Sequence, residues 1–142
     1  MNGMIETIQD AIIDQLKTID GVVTCEAWQG DIEDLLKTPQ RLPALRVIFQ
    51  TAVFDAKDTI GGDQPAMTLS YLIVLVAKHL KSREEGANLC YSIIEAARNL
   101  LIGHKVSGYD FLWPKQEDLI MAEGGTLVYG MTYSMYTILT MP

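Results

Sequence analysis

The sequence predicts an α+β fold, a mixed and mostly antiparallel sheet with two main helices in the order α-β-(short α)-β-β-α-β-β. Three observations carry that prediction. Apolar residues recur at three-to-four spacing in two segments, one at the start and one centred near position 93. Long runs rich in β-branched and aromatic residues lie between and after them, at Ala44–Asp55, Met67–His79 and Leu127–Thr140. The last run alternates with period two, so that Leu127, Tyr129, Met131, Tyr133, Met135, Thr137 and Leu139 share one face. The other face, Val128, Gly130, Thr132, Ser134, Tyr136, Ile138 and Thr140, is small and hydroxyl-rich.

Taken in order, Ile5, Ile8, Ile12, Leu16 and Ile19 mark an amphipathic helix over about Asn2–Ile19, ended by Asp20-Gly21. Val22–Trp28 reads as a modest strand. In "GDIEDLLK", Asp31 caps a turn or two of helix that faces Ile32, Leu35 and Leu36 inward. Pro39 and Pro43 bracket a loop, because neither fits a helix interior. The strand Ala44–Asp55 leads into a polar, Gly-rich loop, and Met67–His79 follows. The middle of Met67–His79 is apolar on both faces, which expects a central position covered on both sides.

Ser82 and Glu85 form a capping box for a helix running to about Ile102, with Leu89, Cys90, Ile93, Ile94, Ala97, Leu100 and Leu101 as its stripe and Gly103 as its stop. Tyr109–Pro114 is a short extended piece, and Glu117–Glu123 begins a hairpin turned by Gly124-Gly125. About fifteen extended residues then span roughly 50 Å at ~3.3 Å each. A domain of this size is only about 40 Å across, so the closing strand bends or protrudes. No repeat or linker divides the chain, which reads as one domain over residues 1–142.

The net charge is −7, with 18 acids against 11 bases. Glu6, Asp10, Asp14, Asp20, Glu26, Asp31, Glu33 and Asp34 crowd the first part of the chain against the single base Lys17. Nucleic-acid binders need Lys and Arg to displace phosphate counterions, so specific nucleic-acid binding is not expected. The longest apolar run, Tyr71–Ala77, is far below the roughly 20 residues of a membrane helix, and no signal-peptide pattern opens the sequence. A cytoplasmic chain without membrane association is expected. Cys25 and Cys90 are unpatterned and read as small buried hydrophobes.

A search for chemistry yields no catalytic, cofactor or metal site. His79 and His104 stand alone at element ends, where solvation or a bond to a free carbonyl is the ordinary role. Asp31, Glu33 and Asp34 match no calcium loop and read as a solvated face. Gly61-Gly62 and Gly124-Gly125 lack phosphate-loop spacing and read as turns. The Met131/Met135 and Tyr129/Tyr133 stripe is a core face before it is a cofactor surface. Trp28 and Trp113-Pro114 suit either an interface or the core margin.

The ordered set "MIETIQDAIIDQLK", "GDIEDLL", "RLPALRVIF", "YLIVLVAKHLKSREEGANLCYSIIEAARNLL" and "EDLIMAEGGTLVYGMTYSM" resembles the Mu-like phage tail proteins with a tail-terminator-like fold, over nearly the whole chain. The resemblance implies a non-enzymatic structural protein of a phage or prophage virion, present in host cytoplasm during assembly. It implies a ring, usually a hexamer, that closes the head-proximal end of the tail, stops tube polymerisation and faces the head-tail connector. The partners so implied are further copies of itself, the tail tube protein and the connector protein, with no cofactor. Another connector or minor tail component is the alternative within that class, and a small-molecule-binding α+β domain using the Met/Tyr face is the alternative outside it. Candidate interface residues are Asp55, Lys57, Asp58, Gly61, Gly62 and Asp63 in the polar loop, with Thr132 and Ser134 on the hydroxyl-rich face of the last strand. A net negative chain also suits a conduit through which DNA must pass without binding.

Overall fold

A computed structural model describes residues 3–55, 65–78 and 82–139. Its elements follow the predicted order: α1 (Met4–Leu16), β1 (Thr24–Ala27), α2 (Ile32–Lys37), β2 (Ala44–Asp55), β3 (Ala66–Lys78), α3 (Arg83–Leu101), β4 (Leu112–Glu123) and β5 (Thr126–Ile138). The five strands form one sheet in the order β1-β2-β3-β5-β4. Only β1–β2 is parallel; the other three pairings are antiparallel. The fold is therefore α+β with a mixed sheet, and β3 is its middle strand. That place explains the two-sided apolar run of β3: Leu69, Tyr71, Ile73 and Leu75 face one layer and Val74 and Val76 the other, all nearly or fully buried.

The two longer helices cover one face. Ile8, Ile12 and Leu16 of α1 and Cys90, Ile93, Ala97 and Leu101 of α3 pack on Leu45, Val47, Tyr71, Ile73, Leu127, Met131, Tyr133 and Met135. The Tyr71 hydroxyl donates to the Ile5 carbonyl at 2.8 Å, which ties the first turn of α1 to the sheet centre. A second, smaller cluster sits on the opposite face. There Leu35 of α2 meets Val74, Val76 and Val128, with Trp28, Ile32, Leu36, Leu42, Ile48, Leu72 and Met121 around them.

Local signals did what their chemistry requires. The Asp34 N–H donates to Asp31 Oδ1 at 2.8 Å and the Glu85 N–H to Ser82 Oγ at 3.1 Å, so both predicted caps satisfy helix-end donors. Gly124 and Gly125 have φ of 61° and 81°, which L side chains rarely adopt, and they turn β4 into β5.

Four expectations need correction. The first helix ends at Leu16, not Ile19, because Thr18 and Ile19 donate to the Gln15 and Leu16 carbonyls and tighten the end into a turn; Asn2 lies outside the described residues. Leu89 is not part of the buried stripe of α3: it is 38% exposed, and its Cδ1 lies near the Gly21 turn. Tyr109–Pro114 and Glu117–Glu123 are not two pieces, since Leu112–Glu123 is one strand. Register shifts between Pro114 and Gln116 and between Leu119 and Met121 let it absorb a proline that a regular ladder would reject. Finally, β5 is not a lone protruding strand, for β3 accompanies it from Thr126↔Lys78 to Ala66↔Ile138. His79 and Thr140 lie outside the described residues.

Candidate assembly surface

The face of the sheet opposite α1 and α3 is covered, among the described residues, only at the end where α2 lies. By strand alternation, Ala44, Ile48, Leu72, Val74, Val76 and Val128 lie under or beside α2. At the other end the same face consists of Thr51 and Val53 from β2, Thr68 and Ser70 from β3, Ser134, Tyr136 and Ile138 from β5, and Trp113 from β4. No helix or loop among the described residues covers that end. Val53 is 62% exposed, Tyr136 55%, Ile138 54% and Trp113 52%. Four large apolar side chains, half in water on one flat face, mark a surface made to be covered.

Among the described residues, part of each sheet edge has no strand beside it. β1 pairs with β2 only over Ala44–Val47, and Trp28 adds one bond to the Val47 carbonyl at 3.0 Å. Beyond that point no strand among the described residues lies on the outer side of β2. β4 is the opposite edge; at its start Leu112 exchanges backbone hydrogen bonds with Gly103 and His104, and beyond that no strand among the described residues lies beside it. Beside the free part of β2 runs a groove of ≈ 680 Å³ lined by Met4, Ile5, Phe49, Ala52, Phe54 and Met67, with Glu6 and Gln9 on its rim. Unpaired edges next to apolar grooves are where strands of other chains add.

The predicted interface residues fall in different places. Asp55 ends β2 and is exposed. Lys57, Asp58, Gly61, Gly62 and Asp63 lie outside the described residues. Thr132 is half-buried, opposite Leu72 and Gln116. Ser134 is buried and its hydroxyl shares a 2.8 Å hydrogen bond with that of Ser70. The residues that sequence reasoning did not single out are Val53, Phe54, Tyr136 and Ile138. Their signal was weak: Val53 and Phe54 near a strand end read equally well as core, and Tyr136 and Ile138 lay on a face read as hydroxyl-rich.

Several of the remaining polar groups have structural partners, while the buried Tyr133 hydroxyl and Gln40 Oε1 have none. Asp31 is the α2 cap, and Glu33 pairs with Lys37 at 3.4 Å, both well exposed. Among the described residues no three His, Cys, Asp or Glu side chains group as a metal site. Arg98 clamps Glu117 through two hydrogen bonds, Nε to Oε2 at 2.8 Å and a second from Nη2 to Oε1, fastening α3 to the β4 edge. That contact raises the already high pKa of the guanidinium. Most of the Met/Tyr face is filled, since Met131, Tyr133 and Met135 have no exposed surface, while Tyr129 is half-buried and lines cavities of ≈ 220 and ≈ 330 Å³ beside α3. Burial, with the Glu117 charge adding to it, pushes the Tyr133 hydroxyl up to about 12. Trp28 donates from Nε1 to the Asp31 carbonyl at 3.1 Å and packs in the α2 cluster, a core-margin role.

Cys25 and Cys90 are buried, and burial pushes both thiols from 9.0 up to about 11. Thiolate is the reactive form, so the native protein should leave both unmodified by a disulfide reagent at pH 8 until denaturant is added. The same shift sets a sign for stability. Both folded pKa values are raised, so this contribution is whole below pH 9 and is lost as pH rises through about 11. Denaturation midpoints measured from pH 8 to 11 should fall with pH, and less steeply in a Cys25→Ala/Cys90→Ala chain.

Comparison with known proteins follows this geometry. A family model described as Bacteriophage Mu, Gp37 matches residues 4–137. Among solved structures, a chain of the virion of the native gene transfer agent (GTA) particle superposes with a TM-score of 0.63 at 13% identity. The alignment covers 98% of this chain and 100% of that one, and at such identity the likeness is one of fold. No curated protein matches significantly.

Proposed function

This chain belongs to the Bacteriophage Mu, Gp37 family, a Mu-like phage structural protein family, and we propose that it serves as a tail terminator. In this reading several copies, six by the resemblance, close into a ring on the last ring of the tail tube. The ring stops tube polymerisation and presents its far side to the head-tail connector. The protein then resides in the virion at the head-proximal end of the tail, after assembly in host cytoplasm. Its role is binding and closure, with no catalytic step.

The observation that carries the reading is the sheet end where, among the described residues, nothing pairs the outer side of β2 and nothing covers an apolar face. A monomer that worked alone would cover Val53, Trp113, Tyr136 and Ile138 or replace them with charge. Directional backbone groups on the edges give such a contact its orientation, and the apolar side chains give it area. A net charge of −7 keeps the assembled bore from trapping DNA. Against a pocket built on Met131, Tyr133 and Met135 stands their complete burial.

The test is tube growth. Adding the protein to polymerising tail tubes should shorten them and leave density on one end in negative-stain images. Thr132→Lys should fold normally by circular dichroism yet lose this effect, because it sets a long charged side chain on the face to be covered. Tube lengths indifferent to the native protein would sink the terminator reading. Binding to tube ends without arrest of growth would assign a connector role instead.

A further inference from the structure

β1 ends at Ala27 while β2 runs on to Asp55. The chain leaves the sheet after Trp28, whose side chain packs in the α2 cluster, so no described residue pairs with the outer side of β2 from Thr51 to Phe54. The direction of the backbone groups there follows from the register. Val47 turns its carbonyl away from β3, since it accepts from the Trp28 N–H, and by alternation Phe49 does the same. The irregularity between Phe49 and Thr51 leaves Gln50 opposite no residue and switches the parity. Thr51 and Val53 therefore turn their backbone groups to β3, while Ala52 and Phe54 aim theirs away from the sheet. Among the described residues no backbone bond uses them on that side.

The same two residues wall an apolar groove. Their side chains face the α1 side, where with Met4, Ile5, Phe49 and Met67 they line the ≈ 680 Å³ groove beside β2. A strand laid along β2 would bond to the backbone of Ala52 and Phe54 and place every second side chain in that groove. Its other side chains would lie beside Val53, which is 62% exposed on the opposite face. Among the described lining residues Glu6 is the one charged side chain, and it is exposed; the polar lining is otherwise Gln9 and Gln29.

We infer that this edge takes a strand from a different protein, an extended segment with apolar side chains at alternate positions and a lysine or arginine on the same face, set against Glu6. This rests on the assembly reading above and gives the chemistry of the segment that docks. A second copy fits the edge poorly. Pairing β2 with β2 brings Glu6 against Glu6. The part of β4 clear of His104, Gln116 to Glu123, carries Glu117, Asp118 and Glu123, and Arg98 is already engaged with Glu117. Either pairing sets acid against acid in a chain of net charge −7.

A peptide titration tests it. The probe is acetyl-Lys-Thr-Val-Thr-Val-Thr-Lys-amide, whose valines and lysines share one face of a strand, beside a counterpart with Glu in place of Lys. Added to the full isotope-labelled chain, the Lys peptide should shift the Ala52 and Phe54 amide resonances and slow their exchange with solvent. Ala52→Pro removes an N–H that faces solvent on an edge, so it should keep the native circular dichroism and lose the peptide. Glu6→Gln should weaken the Lys peptide roughly two- to fivefold and narrow its advantage over the Glu peptide. Unchanged Ala52 and Phe54 resonances at millimolar Lys peptide would overturn the inference, and this readout needs no variant to fold. A folded Ala52→Pro chain that still takes the peptide would overturn the backbone pairing. Equal binding of the two peptides would overturn the basic partner. Shifts of the same two amides on raising the protein concentration alone would overturn it in favour of a second copy. The titration contains no tubes, so its failure is distinct from failure of the terminator reading, which is read from tube length.

Discussion

Met131→Asp should abolish the native fold. Met131 has no exposed surface and lies in the middle of β5, between Ile73 of β3 and Glu117 of β4 on the same row. An aspartate there is a short buried carboxylate facing the α1/α3 core. Glu117 beside it adds like charge. Arg98 offers no rescue, because its guanidinium is already spent on both Glu117 oxygens at the surface. An uncompensated buried charge belongs with the mutations that cost more than about 4–5 kcal/mol, against a total stability of roughly 5–15 kcal/mol for a domain. The expected record is loss of the cooperative urea transition and of near-ultraviolet circular dichroism. Met131→Leu, which keeps volume and polarity, should cost less than about 1.5 kcal/mol. A well-folded Met131→Asp protein would refute the assignment of the odd residues of β5 to the core.

That assignment came from alternation alone, and it shows what the sequence makes legible. Features set by neighbours in the chain were readable: the Asp31 and Ser82 caps, the Gly124-Gly125 turn, the bounds of β2 and the face of β5 that is buried. The central place of β3 was readable too, because a strand covered on both faces must be apolar on both. Features set by distant segments were not. Nothing near residue 24 says that β1 lies parallel to β2 and shields only four of its residues. Nothing near residue 112 says that Pro114 sits in a continuous edge strand that bulges around it. The bare face illustrates the limit most clearly. Val53 looks like core in a one-dimensional pattern, Tyr136 and Ile138 fall on the hydroxyl-rich face of β5 without standing out from it, and only the sheet order shows that α2 stops short of all three. Trp113-Pro114 was open between interface and core margin, and exposure decides for the surface.

The same short reach of α2 makes Leu35 the second sensitive position. α2 has six residues, too few for a helix to persist in water by its own hydrogen bonds. The Asp31 cap contributes about 1 kcal/mol, and the exposed Glu33–Lys37 pair only a few tenths. What holds the helix down is Leu35, fully buried against Val74, Val76 and Val128. Leu35→Ala should therefore cost about 2–5 kcal/mol, toward the upper end if the small cluster fails to close over the gap. Its signature differs from that of a main-core cavity. Loss of this contact detaches α2 before the sheet opens, so amide exchange should accelerate over residues 32–37 while β3 and β5 stay protected. The protein should also become prone to association, since Val74, Val76 and Val128 would join Val53 and Tyr136 in one apolar face running the length of the sheet. Uniform acceleration of exchange across all five strands would show instead that α2 is part of one cooperative unit with the main core.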